Sequence, residues 1–119
     1  MSYAQLSLGQ VTFTSPITQH FPSGELELIE RTIKFDGKEF IIETQTMMNT
    51  IHTQKWIVKE YSEMEFPMHG LSHFYVCEAV GGLYTTYILI PSKDPIEYLE
   101  IVQPQQYHFE PNHLRFLVD

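Results

Sequence analysis

The pair Asp36-Gly37, set between two runs rich in apolar and β-branched residues, constrains this chain more than any other feature. Asp-Gly is a preferred central pair for a two-residue type I′ turn, which needs positive φ at both positions. A hairpin over Leu26–Phe35 and Lys38–Thr46 follows. With the turn at 36–37, Ile33 faces Phe40, Arg31 faces Ile42 and Ile29 faces Thr44, giving one mostly apolar face. Lys34 beside Glu39 and Thr32 beside Ile41 form the other. One buried side and one wet side is the ordinary state of an antiparallel sheet.

A second hairpin is expected around Gly81-Gly82, joining Ser72–Val80 to Leu83–Ile90. A two-residue turn there puts Phe74, Val76 and Val80 on one face with Leu89, Tyr87 and Leu83. The opposite face holds Tyr75, Cys77 and Ala79 with Ile88, Thr86 and Tyr84. Both faces are apolar or aromatic, so these strands are central and covered on both sides, or one face meets a ligand or partner.

The remaining segments are read from their breakers. Val11 and Phe13 begin a weak alternation that Ser15-Pro16 interrupts, and Phe21-Pro-Ser-Gly24 is a loop. Met47–Gln54 has no clear period. Lys55–Phe66 reads as a strand with Trp56 and Val58 on one side and Ile57, Lys59 and Tyr61 on the other, ended by Pro67. Asp94, Pro95 and Glu97 form a helix-start signature of N-cap, N1 proline and capping-box acid. Ile96, Leu99 and Val102 continue it as an apolar stripe, predicting a helix over about 95–102. Tyr107–Phe109 and His113–Val118 read as terminal strand pieces. The expected fold is mainly β with a minor α part: a strongly bent antiparallel sheet or partly open barrel of about seven strands and one short helix, in a single domain over residues 1–119.

Composition narrows the function classes. At 119 residues the chain can bury a core without staples, and 43% hydrophobic content offsets the ordering entropy despite a net charge of -8. The single cysteine, Cys77, allows no intrachain disulfide, and the first residues carry neither a basic nor an apolar leader run, so a cytoplasmic location is expected. Fifteen acidic residues against seven basic ones argue against nucleic acid as a partner, and no apolar run approaches the ~20 residues of a membrane span.

Candidate chemistry is sparse. His69, His73 and Cys77 recur every four residues, the spacing of metal ligands on one helical face. On a strand, however, residues 73 and 77 stand about 13 Å apart at roughly 3.3 Å per residue, too far to share an ion. No metal or other cofactor is expected. Cys77 next to Glu78 lacks the cationic setting that activates a thiol, and no nucleophile elbow or glycine-rich phosphate loop is present. His108 and His113 could meet around Pro111, but a pair is not a site.

Two features point to binding. The tyrosines 75, 84, 87, 98 and 107 belong to the residue type that supplies apolar contact and a hydrogen bond together. The glutamates at 25, 27 and 30 and at 60, 63 and 65 mark acidic strand edges, which ordinarily serve to deter edge-to-edge pairing. The expectation is therefore a non-enzymatic module of inhibitor, immunity or adaptor type that binds a protein partner or a second copy. Its surface would be formed by Tyr75, Tyr84, Tyr87 and Ile88 with Glu60, Glu63 and Glu65 as a polar rim. The alternatives are a barrel or cup holding an apolar small molecule against Phe74, Val76, Tyr87 and Leu89, and a metal-assisted enzyme using histidines.

Overall fold

The computed structural model describes residues 10–81, 85–104 and 112–119. Eight strands run in sequence: β1 (Val11–Phe21), β2 (Leu26–Phe35), β3 (Glu39–Gln45), β4 (Ile51–Phe66), β5 (Gly70–Ala79), β6 (Thr85–Pro91), β7 (Tyr98–Gln103) and β8 (Asn112–Leu117). Each pairs antiparallel with the next, and β8 returns to β1, so the sheet closes into a barrel. The sheet is thus neither open nor seven-stranded. An eight-stranded barrel has an interior just wide enough for its own side chains. Phe13, Ile33, Phe35, Phe40, Ile42, Trp56, Tyr75, Cys77, Ile88, Ile90, Leu99, Ile101 and Phe116 fill it. Phe35 stacks on Phe40 at 4.1 Å, and Tyr75 meets both rings edge-on. The outer face of β2–β3 carries the Lys34–Glu43 pair at 3.2 Å and the exposed Leu26 and Leu28.

The first hairpin forms in a register displaced by two residues from the expected one. Phe35 pairs with Phe40, Ile33 with Ile42 and Arg31 with Thr44. Residues 36–39 make the turn, with Gly37 at φ 94° in its first central position. The Asp36 carboxylate accepts hydrogen bonds from the Lys38 and Glu39 N–H groups, both at 2.9 Å, and these donors hold its pKa below the usual value. Asp36 therefore acts as the cap of the turn rather than as a central residue. A two-residue slip preserves side-chain parity, so the face assignment survives the register error.

The second hairpin has the expected register: Phe74 with Leu89, Tyr75 with Ile88, Val76 with Tyr87 and Cys77 with Thr86. The second residue of its expected Gly81-Gly82 turn, and Leu83 and Tyr84 after it, lie outside the described residues.

Three expectations change. The 95–102 segment is not a helix, because Tyr98–Gln103 is β7, paired on one side with β6 and on the other with β8. Ladder bonds on both sides and burial of Leu99 and Ile101 outweigh the local capping signature. Tyr61 lies on the same side as Trp56, because a bulge between Val58 and Glu60 shifts the parity of β4. Ser15-Pro16 does not break β1, because the irregularity between Ser15 and Ile17 accommodates a residue without an N–H. No helix among the described residues is long and apolar enough to cross a membrane.

Candidate functional site on the outer wall

The two faces of β5–β8 have different fates. Tyr75 and Ile88, expected at a partner surface, point into the barrel and are 4% and 0% exposed. Burial drives the Tyr75 hydroxyl pKa upward, with Tyr61 and Cys77 adding to the shift. Cys77 is likewise in the core, its thiol pushed up to about 12 by burial, the reverse of what a nucleophile needs. Tyr84 is outside the described residues. Of Tyr75, Tyr84 and Tyr87, Tyr87 is the one placed on the described outer wall, stacked on Phe74 at 5.5 Å.

The glutamates divide as well. Glu60 pairs with Val76 on the outer face, whereas Glu63 opposite His73 and Glu65 opposite Leu71 share the other face. The rim is therefore split between two sides of the β4–β5 ribbon.

A concavity of about 300 Å³ lies on the outer wall, lined by Phe66, His69, Phe74, Tyr87, Leu89, Glu100, Val102 and His113. Phe74, Tyr87 and Leu89 are the residues expected to hold an apolar ligand. They line this cleft outside the barrel, whose interior is filled by its own side chains. Val76 is on the same face but does not line the cleft. The β4–β5 turn folds over this wall: His69 Nδ1 lies 2.6 Å from the Tyr98 hydroxyl, and its Nε2 lies 3.7 Å from Glu100 Oε1.

Glu100 is the residue the sequence reading missed. It is on the outward face of β7, opposite Leu89 on β6 and Arg115 on β8, yet its side chain is 4% exposed. Such a carboxylate needs partners. His113 Nε2 stands 2.7 Å from Oε1, and the Arg115 guanidinium grips Oε2 through Nε and Nη2. Arg115 lies 4.5 Å over the Tyr98 ring and 5.1 Å over Phe21, and His113 stacks on Phe21 at 4.6 Å. Burial raises the Tyr98 pKa, against an opposing pull from Arg115.

Among the described residues no three His, Cys, Asp or Glu side chains are placed to hold a metal ion. The three residues weighed and set aside as metal ligands are dispersed: His69 on the outer wall, Cys77 in the core, and His73 buried with its Nδ1 2.8 Å from the Tyr61 hydroxyl. Desolvation lowers the His73 pKa, against the field of Glu63. His108 is outside the described residues, so its approach to His113 is not described. A second, shallower concavity of about 200 Å³, lined by Phe21, Pro22, Val102, Asn112 and His113, adjoins the first and shares Val102 and His113 with it. Together they form a two-part groove across β7 and β8.

No family model matches the chain, and no solved structure does. It is similar to Septu protein PtuA of Bacillus thuringiensis, at 33% identity over 64 residues, which is 53% of this chain. The match takes in 16% of that protein's length.

Proposed function

We propose that the chain is a non-enzymatic protein-binding module that takes an extended segment of a partner in the outer-wall groove. The observation that carries this reading is the pair of adjoining concavities sharing Val102 and His113, which suits two side chains of one segment better than a single compact ligand. Phe66, Phe74, Tyr87, Leu89 and Val102 supply apolar and aromatic walls, the composition of anchoring pockets at interfaces. The turn bearing His69 also exposes Met68, adaptable apolar surface for a partner's flank. A net charge of -8 favours a basic partner over nucleic acid or a second copy, with Glu60 on the groove side of the ribbon. The similarity to a minor part of a much longer protein fits a module that works joined to other parts. A cytoplasmic setting suits the buried free thiol.

The test is selection from a displayed random-peptide library, followed by rebinding to a Val102→Trp variant whose indole fills the junction of the two concavities. Enriched peptides should lose at least about tenfold in affinity on the variant. Peptides that bind the blocked groove unchanged, or no enrichment, would refute the reading. A second reading, a small apolar ligand in the deeper concavity, is favoured by its wall of Phe74, Tyr87 and Leu89. It is distinguished by binding of an apolar probe with no peptide enriched.

A further inference from the structure

We infer that the deeper half of the groove is a phenol site, and that the side chain it anchors is a tyrosine of the partner. This rests on the protein-binding reading above and names the group recognised.

The polar end of the concavity selects against charge. Glu100 would repel a carboxylate brought against it, and Arg115, which grips Glu100 from β8, would repel an ammonium or guanidinium. The ion cluster is already internally balanced, so a charged ligand would lose hydration without gaining a counter-ion. A neutral group remains.

The tautomer of His69 then fixes the hydrogen-bond pattern. The Tyr98 hydroxyl reaches His69 Nδ1 at 2.6 Å. If Tyr98 donates, Nε2 carries the proton and its N–H faces the Glu100 carboxylate, which is the electrostatically favoured arrangement. The reverse tautomer would turn a lone pair toward that carboxylate. At 3.7 Å from Oε1, however, Nε2–H is beyond ordinary hydrogen-bond length. The site therefore presents one donor, His69 Nε2–H, next to one acceptor, Glu100 Oε1, with the bond between them not closed. A hydroxyl matches both: its oxygen accepts from His69 and its hydrogen is donated to Glu100. Phe74 and Tyr87, stacked nearly parallel with an interplanar angle of 20°, and Leu89 and Val102 form walls suited to a flat ring. A ring bearing a neutral hydroxyl is a phenol. Among protein side chains that is tyrosine.

The experiment titrates the purified full chain with p-cresol, toluene and 4-methylbenzoate, following the methyl resonances of Leu89 and Val102. p-Cresol should shift both and bind roughly tenfold more tightly than toluene, the effect of one satisfied hydrogen bond in a dry site. 4-Methylbenzoate should leave them unmoved. His69→Phe should abolish the preference for p-cresol over toluene. Tyr98→Phe, which removes the hydroxyl that sets the tautomer, should narrow the gap without closing it. Equal binding of p-cresol and toluene, or a preference that survives His69→Phe, overturns the phenol assignment and leaves the groove reading standing. A cleft that takes none of the three probes also overturns it, and the peptide selection still decides the groove reading independently. In that selection, a supporting result is a tyrosine fixed at one position whose change to phenylalanine weakens binding by about the same factor.

Discussion

On the inner side of β5–β8, Tyr75, Cys77, Ile88 and Ile101 are at most 4% exposed and pack with residues from across the barrel. On the outer side of the same strands, Phe74, Tyr87 and Val102 remain partly open to solvent around a concavity. The two faces have similar apolar character in sequence, yet closure of the barrel uses up only one of them. On β2–β3 the outer face mixes charge, as at Lys34 and Glu43, with the exposed Leu26 and Leu28. The outer wall of β5–β8 differs in gathering aromatic side chains around a concavity, and that contrast is what supports the groove reading.

The harshest way to break this comparison is to place a charge on each face in turn. Ile88→Asp puts a carboxylate in the packed interior with no partner, at a cost comparable to the whole stability of a domain, about 5–15 kcal/mol. Circular dichroism should show an unfolded chain. Val76→Asp, on the outer face of the adjoining strand, should fold and melt cooperatively. If both variants unfold, the outer wall is core and the distinction collapses.

Next in size is the ion cluster, where the outer wall buries the Glu100 carboxylate as deeply as the interior buries its side chains. Arg115→Met leaves Glu100 desolvated beside only His69 and His113, and should cost about 3–5 kcal/mol in urea unfolding. Replacing both members, Glu100→Leu with Arg115→Met, should recover most of that loss. A double variant as unstable as the single one would mean that stacking of Arg115 on Tyr98 and Phe21, rather than charge pairing, carries the stability.

The interior face also has a pH signature. The Cys77 thiol, ordinarily near 9.0, is raised to about 12, so between those values the unfolded chain releases a proton that the folded chain keeps. Stability should therefore fall as pH rises from about 9 toward 12. Cys77→Val should lose that part of the slope. A slope unchanged in the variant would assign the loss to other groups, with Tyr75 the first candidate because burial raises its hydroxyl in the same direction.

Much of this was legible in the sequence, and the failures share a cause. Period-two alternation gave the inner and outer faces of both hairpins, and Gly81-Gly82 gave the register of the second. In the first, Asp36-Gly37 marked the turn, but Asp36 caps N–H groups instead of occupying a central position, which only the three-dimensional loop reveals. Segment 95–102 was ambiguous: Ile96, Leu99 and Val102 recur at helical spacing, while Leu99 and Ile101 around Glu100 alternate like a strand. Pairing with β6 and β8, which lie outside the segment itself, decided between them. The cleft was out of reach for the same reason. Its walls come from β4 through β8 and the β4–β5 turn, and a helix over 95–102 gives Glu100 no neighbours on β6 or β8. The available hint was a lone carboxylate between Leu99 and Ile101.

The smallest predicted effect is the sharpest test of the comparison, because it sets two tyrosines of neighbouring strands against each other. Tyr75 on β5 points inward against Phe35 and Phe40, and Tyr87 on β6 points outward against Phe74. Tyr75→Ala opens a cavity in a packed core and should cost about 3–5 kcal/mol. Tyr87→Ala forfeits one stacked ring pair and partial burial, and should cost about 1 kcal/mol. Both are read from urea midpoints, with an unchanged slope showing that the unfolded ensemble is the same. The groove reading adds a second measurement: Tyr87→Ala should weaken any groove-selected peptide by more than it weakens the fold, since it removes a wall that free solvent otherwise contacts. A loss of stability as large as that of Tyr75→Ala would make Tyr87 a structural residue of the barrel. A small loss with unaltered peptide binding would take Tyr87 out of the recognition surface and leave Phe74, Leu89 and Val102 to form it.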